Sequence, residues 1–219
     1  QRGGISNVAA LIVEPMQSSA GYIIPPDDYL RALKSLCDNY GILFIADEIQ
    51  AGLGRTGKMW AVQNSGVEPD IMCVGKGIAG GLPMSMVVAK AEVLSSWAPG
   101  AHVSTFAGYT LGCAVALEVL KIMEEEKLVQ RSAEMGKYFL DGLRDLQEKH
   151  PILGHVDGRG LYIGIEFVKD RKTKEPAIEE TDFMFNRCLE KGLLFEKGGY
   201  LYNRFQLIPA LTIGKDEID

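Results

Sequence analysis

Four short apolar runs constrain this chain more than anything else in it: Val8–Val13, Ile42–Ile45, Ile71–Val74 and Met86–Ala89. They are continuous rather than alternating, which is the pattern of strands covered on both faces. Between the first two, Asp27 or Asp28 can cap a helix whose apolar residues Tyr29, Leu30, Leu33 and Leu36 recur at helical spacing, and Gly41 can end it. Strands alternating with helices imply a mostly parallel sheet with helices on both sides, an α/β architecture.

From Leu111 the pattern turns helical through about Glu126, with Leu117, Leu120, Ile122 and Met123 as an apolar stripe. A second helix is expected from about Leu128 to Lys149, with Leu140, Leu143 and Leu146 on one face, and Pro151 breaks the chain after it. Then come a strand at Leu161–Phe167, a helix around Thr181–Lys191 and a short strand at Phe205–Ile208. This reads as residues 1–127 forming part of a larger domain and 128–219 a smaller α+β domain.

Net charge is −6, and the densest cationic cluster, Lys169 to Lys174, also holds Asp170. That excludes a basic nucleic-acid footprint and suggests a solvated loop. No apolar run approaches the ~20 residues of a membrane-spanning helix. Gln1-Arg2-Gly3-Gly4 do not resemble a secretory leader, and the four cysteines lack CxxC spacing, so a cytoplasmic protein is expected. Cys73 and Cys113 lie in apolar runs and read as reduced core thiols. His102, His150 and His155 share no metal-ligand spacing, and no metal is expected. The chain lacks an initiator Met, enters a strand at once and stops in what reads as the first turn of a helix, so a fragment is expected.

The candidate chemistry sits at strand ends. Asp47 closes the second run, and ligands of open α/β sheets bind outside the carboxyl ends of strands. A loop or capping aspartate would read the same way. Lys76 follows the third run and precedes Gly77, Gly80 and Gly81, where backbone can approach a ligand closely; an exposed lysine in a glycine-rich turn is the alternative. Gly52-Leu-Gly-Arg-Thr-Gly-Lys58 matches GxGxxG and most of a P-loop. However, Met59 stands where a P-loop needs Ser or Thr, and Asp47-Glu-Ile-Gln-Ala51 intervenes before the first glycine, which argues against nucleotide binding. Ser104 and Thr105 precede the long helix, where hydroxyls suit either a phosphate or an N-cap. Arg204, on a short strand, can grip a carboxylate in two parallel hydrogen bonds or form a surface ion pair.

Seven segments in order carry a resemblance: Leu11–Gln17, Ala46–Gly57, Glu68–Ile71, Gly75–Gly77 with Gly81–Pro83, Ser104–Phe106, Gly158–Leu161, and Arg204-Phe205 with Pro209. Together they resemble the C-terminal part of class III aminotransferases, enzymes of the pyridoxal phosphate (PLP) fold type I group. The resemblance implies a PLP-dependent transaminase that moves an amino group from an amino acid or amine to a keto acid. A racemase, epimerase, decarboxylase or lyase on the same scaffold is the alternative. Lys76 resembles the lysine that holds PLP as a Schiff base and shuttles protons, and Asp47 the partner of the pyridinium nitrogen. Ile49 would pack on the cofactor ring and Gln50 would bond its phenolic oxygen. Ser104 and Thr105 would reach the cofactor phosphate of a neighbouring subunit, implying a homodimer with shared sites. Arg204 resembles the arginine for the substrate carboxylate, and Glu14 is assigned only a structural role.

Two positions depart from the family pattern. Relatives that act on ornithine or 4-aminobutyrate carry Glu where this chain has Ser19, as in dialkylglycine decarboxylases and some racemases of the class. The usual Gly-Asn-Pro after the Thr-Phe segment reads Gly108-Tyr109-Thr110. The family's N-terminal part supplies the main phosphate loop and the aromatic residue stacked on the cofactor, so this stretch alone is expected to lack a complete site.

Overall fold

The computed structural model describes residues 7–219. Gln1 to Gly4, which do not resemble a secretory leader, lie outside the described residues. The chain divides into two compact units. One comprises residues up to 15, 26–53 and 60–127; the other comprises 16–25, 54–59 and 128–219. Two short segments of the first half thus belong with the second unit.

The first unit is built on a four-stranded sheet of order β1-β2-β3-β4: Ala10–Val13, Leu43–Asp47, Ile71–Val74 and Met86–Ala89. The first three strands run parallel and β4 runs antiparallel to β3. Helix α1 (Tyr29–Tyr40) buries Leu30 and Cys37 in a core with Ile42, Phe44, Ala46, Val62 and Val67. Gly41 ends it in the left-handed conformation at φ 64°, which costs glycine nothing. The expected start differs. Asp28 occupies the N-cap but its carboxylate makes no cap bond, because its own backbone is already helical at ψ −12°.

β1 also differs from expectation. It is not covered on both faces: alternate residues are exposed, and Ile12 is 61% accessible. After β4 come a single turn, α2 (Ala91–Leu94), and the long α3 (Thr110–Glu125). The expected stripe of α3 is largely uncovered. Ala116 and Met123 are buried, whereas Leu117 and Ile122 are exposed. Cys73 is half-buried and Cys113 exposed, so the second is no core thiol; Cys37 is the buried one.

The second unit is a helix-backed antiparallel sheet. Helix α4 (Leu128–Lys149) is followed by β5 (Leu153–Arg159), β6 (Tyr162–Asp170), the two-residue β7 (Glu175-Pro176), α5 (Ile178–Glu190), β8 (Glu196–Gly198), β9 (Arg204–Leu207) and α6 (Lys215–Ile218). The strand order is β5-β6-β9-β8, with β7 beside β6. Period-two alternation divides the sheet cleanly. Val156, Ile163, Ile165, Phe167 and Phe205 face Leu140 and Leu143 of α4, forming the core. Leu146, expected on that face, is 44% exposed near the helix end. The opposite sheet face carries Tyr162, Gly164, Glu166, Arg204 and Gln206, and segment 16–25 lies over it. Tyr22 stacks on Tyr162 at 3.8 Å between ring centres, and Gln206 Nε2 donates to Ser18 O at 2.7 Å. Among the described residues no helix is long and apolar enough to cross a membrane.

Candidate active site

In the first unit the chemistry-bearing residues gather at the carboxyl ends of the parallel strands. Register pairs Asp47 with Cys73, so β2 and β3 end side by side, and Glu48 N–H donates to Cys73 O at 2.9 Å. Asp47 Oδ1 accepts from Ile49 N–H at 3.0 Å, turning the chain sharply out of the strand. Ile49 is exposed and lies above Gly75, where a side chain would meet its Cγ2 at 3.4 Å. Lys76 follows with φ 48°, a left-handed conformation that costs a residue with a Cβ about 1–2 kcal/mol. Its exposed amine donates to Gln50 Oε1 at 2.7 Å. Four of the expected site residues, Asp47, Ile49, Gln50 and Lys76, therefore occupy one end of one sheet.

Glu48 was not singled out in the sequence, yet it holds this end together. Its side chain is fully buried. Oε2 accepts from Ala61 N–H at 2.8 Å and Oε1 from Val62 N–H at 2.7 Å, capping the 3-10 turn Ala61–Ser65. Burial pushes its carboxyl up to about 7, against the opposing pull of the two N–H donors, and the neighbouring Asp47 charge adds to the rise. The signal available in sequence was an acidic residue inside an otherwise apolar strand end.

Ser104 and Thr105 lie on an exposed stretch, as do Val103 and Phe106. Neither hydroxyl caps α3, whose N-cap is Tyr109; Ser104 Oγ instead accepts from Phe106 N–H at 3.3 Å. Ser104 also lines a cavity of about 520 Å³ with His102, Tyr109 and Cys113.

Arg204 belongs to the second unit and is buried on β9. Its stem runs past Gly21, where an added methyl would sit 2.3 Å from Cδ, so the glycine is what admits the arginine. The guanidinium stands 3.7 Å from Glu166 Oε1, its Nε has no hydrogen-bond partner among the described residues, and burial lowers its pKa. The glycine-rich segment 54–59 has a structural occupation in the same unit. Arg55 donates to Pro209 O, Arg55 O accepts from Ser132 Oγ at 3.0 Å, and Gly57 packs against Ala133.

The family model "Aminotransferase class-III" matches residues 4–219, and the chain belongs to that family. It is 44% identical over 214 residues to an ornithine aminotransferase of Staphylococcus carnosus, covering 97% of this chain and 50% of that protein. It is 42% identical over 214 residues to a leucine/methionine racemase of Thermococcus litoralis, covering 97% of this chain and 47% of that protein. The solved structure of a Bacillus anthracis aminotransferase superposes with a TM-score of 0.91 at 38% identity, covering 96% of this chain and 49% of that one. The fold is therefore that of PLP-dependent aminotransferases. The chain spans about half the length of the curated relatives it matches.

Proposed function

We propose that the whole protein is a PLP-dependent aminotransferase that moves an amino group from an amino acid or amine to a keto acid. The observation that carries this reading is Lys76, a lysine held in a strained left-handed conformation at a strand end with its amine 2.7 Å from Gln50. Backbone strain persists where the surroundings enforce it, and such positions cluster at functional sites. The donor set fits the cofactor: one primary amine, one carboxylate and one amide at the same sheet end, with an exposed aliphatic side chain beside them. When bound, PLP supplies an electron sink for bonds at the substrate's α-carbon.

On this reading Lys76 holds the cofactor through its amine and afterwards carries a proton to and from the substrate carbon. Asp47 keeps a proton on the ring nitrogen, Gln50 bonds the ring oxygen, and Ile49 keeps water off the ring face. Arg204 takes the substrate carboxylate in a two-pronged grip. Ser104 and Thr105, on an exposed stretch, are assigned to the cofactor phosphate of a second copy in a homodimer. The absence of a membrane-spanning helix among the described residues is compatible with a cytoplasmic enzyme.

The test is a product assay on the whole protein supplied with PLP, a panel of amino donors and a keto acid. Appearance of a new amino acid matched by a new keto compound supports transamination, and its loss in Lys76→Ala assigns the lysine. Inversion of a single amino acid with no keto product would instead select racemisation, the activity named for the Thermococcus relative.

A further inference from the structure

Helix α3 opens on a residue whose side chain does not cap it. N-cap positions favour Ser, Thr, Asp or Asn, whose side-chain oxygen accepts a free N–H of the first turn. Here the position is Tyr109, in the stretch Gly108-Tyr109-Thr110 that departs from the family pattern, and its side chain makes no cap bond. The ring goes elsewhere. A methyl added at Gly112 would sit 2.5 Å from Tyr109 Cδ1, 2.9 Å from Cε1 and 3.2 Å from Met84 Sδ. Tyr109 therefore folds back on the first turn of its own helix, into the space that the buried Gly112 leaves open. From the loop side Phe106 meets the same ring edge-on, at 6.2 Å between centres.

This contact bears on the loop that precedes the helix. Phe106 is 74% accessible, so burial does little to hold residues 104–108. Ala107 N–H donates to Ser104 O at 3.0 Å and Tyr109 N–H to Phe106 O at 3.1 Å. Bonds of such short range fix the shape of a loop, not its place on the helix. The row Phe106–Tyr109–Gly112 supplies that attachment. Ser104 and Thr105 stand directly before Phe106. Ser104 Oγ accepts from Phe106 N–H at 3.3 Å, which leaves its hydroxyl proton to donate to an anionic oxygen. Tyr109 and Met84 line the same cavity as Ser104.

We propose that Tyr109 is a positioning residue for the cofactor phosphate: its ring, set between Phe106 and Gly112, holds the loop so that the Ser104 and Thr105 hydroxyls meet the phosphate oxygens. The ring acts by packing, and its own hydroxyl is not required. This rests on the reading of Ser104 and Thr105 as the phosphate-binding hydroxyls.

The test compares binding of PLP with binding of pyridoxal, which has the same ring and aldehyde but no phosphate, to the whole protein by equilibrium dialysis. The readout is the ratio of the two dissociation constants, which a general loosening of the fold leaves unmoved. The double variant Ser104→Ala/Thr105→Ala should cut the preference for PLP at least about tenfold, the size of one hydrogen bond to a charged group. Tyr109→Ala should cut it about threefold to tenfold by misplacing those hydroxyls, and Tyr109→Phe, which keeps the packing, by less than about twofold. Gly112→Ala pushes the ring off the helix while adding a good helix former, so it should lower the preference as Tyr109→Ala does without lowering the melting temperature. In the Ser104→Ala/Thr105→Ala background, Tyr109→Ala should change the preference no further. If the hydroxyl double variant keeps the preference for PLP, the reading of Ser104 and Thr105 fails and the role of Tyr109 goes with it. If the double variant loses the preference but Tyr109→Ala and Gly112→Ala leave it intact, or Tyr109→Phe lowers it as far as Tyr109→Ala, the proposal is overturned and the reading of Ser104 and Thr105 stands.

Discussion

Glu48 sets two physical effects against each other, and Glu48→Gln measures which one wins. Complete burial penalises the carboxylate, while two short N–H bonds from Ala61 and Val62 favour it. In this structure burial dominates and the group titrates at about 7 rather than its ordinary 4.5. A carboxyl whose folded pKa is raised binds its proton more tightly in the folded state. Its contribution is fully present below pH 4.5 and is lost as pH rises to 7. At about 1.4 kcal/mol per unit the loss is about 3 kcal/mol. Glutamine cannot ionise. It keeps one acceptor for the 3-10 turn and turns an NH₂ towards the other donor, costing about 1–3 kcal/mol at every pH. The assay is urea unfolding of wild type and Glu48→Gln from pH 5 to 8. The variant should be the less stable at pH 5 and should gain about 3 kcal/mol on wild type by pH 8, moving the relative midpoint by roughly 1 M or more. A difference that stays constant with pH, or wild type gaining as pH rises, would mean the two caps outweigh burial and would refute the reasoning.

Other expectations follow from the same packing. Gly136 lies so close to the turn before β6 that an added methyl would sit 2.1 Å from the Gly160 carbonyl, so Gly136→Ala should cost about 3 kcal/mol, read as a lowered melting temperature. Ser132 is fully buried, donates to Arg55 O and accepts from Leu161 N–H at 3.2 Å; Ser132→Ala should cost about 1–3 kcal/mol and speed hydrogen exchange at the Leu161 amide. At Lys76, Gly and Ala variants both lose the bond to Gln50, but only glycine relieves φ 48°. The Gly variant should be more stable than the Ala variant by about 1 kcal/mol in denaturant unfolding.

The strands of the first unit were legible because each is a compact apolar run, the second and third bounded by Gly41, Asp47, Asp70 and Gly75. Their directions were not, since a run such as Met86–Ala89 reads the same parallel or antiparallel, and β4 turned out antiparallel. β5 escaped because Leu153-Gly-His-Val-Asp-Gly-Arg159 mixes glycines with charges and carries a register shift between Leu153 and His155, which breaks the alternation. β8, Glu196-Lys-Gly198, has no apolar residue at all. Nothing local marked residues 16–25 as a cover for the second sheet. That placement depends on Gly164, where an added methyl would strike Gly21 O at 2.5 Å, and on Gln206 reaching Ser18, a contact 188 residues apart. Within the candidate site, Asp47 and Lys76 stood out because each ends a strand. Glu48 did not, because its partners lie 13 and 14 residues downstream in a turn with no helical or strand pattern.

On the proposed reading, Lys76 is the residue that holds the cofactor. The direct measurement is borohydride reduction of the whole protein with PLP, followed by mass mapping of its peptides. The pyridoxyl group should appear on the peptide containing Lys76 and nowhere else at stoichiometric yield, with no stable label in Lys76→Ala. A stoichiometric label on another lysine, or undiminished labelling in the variant, would contradict it.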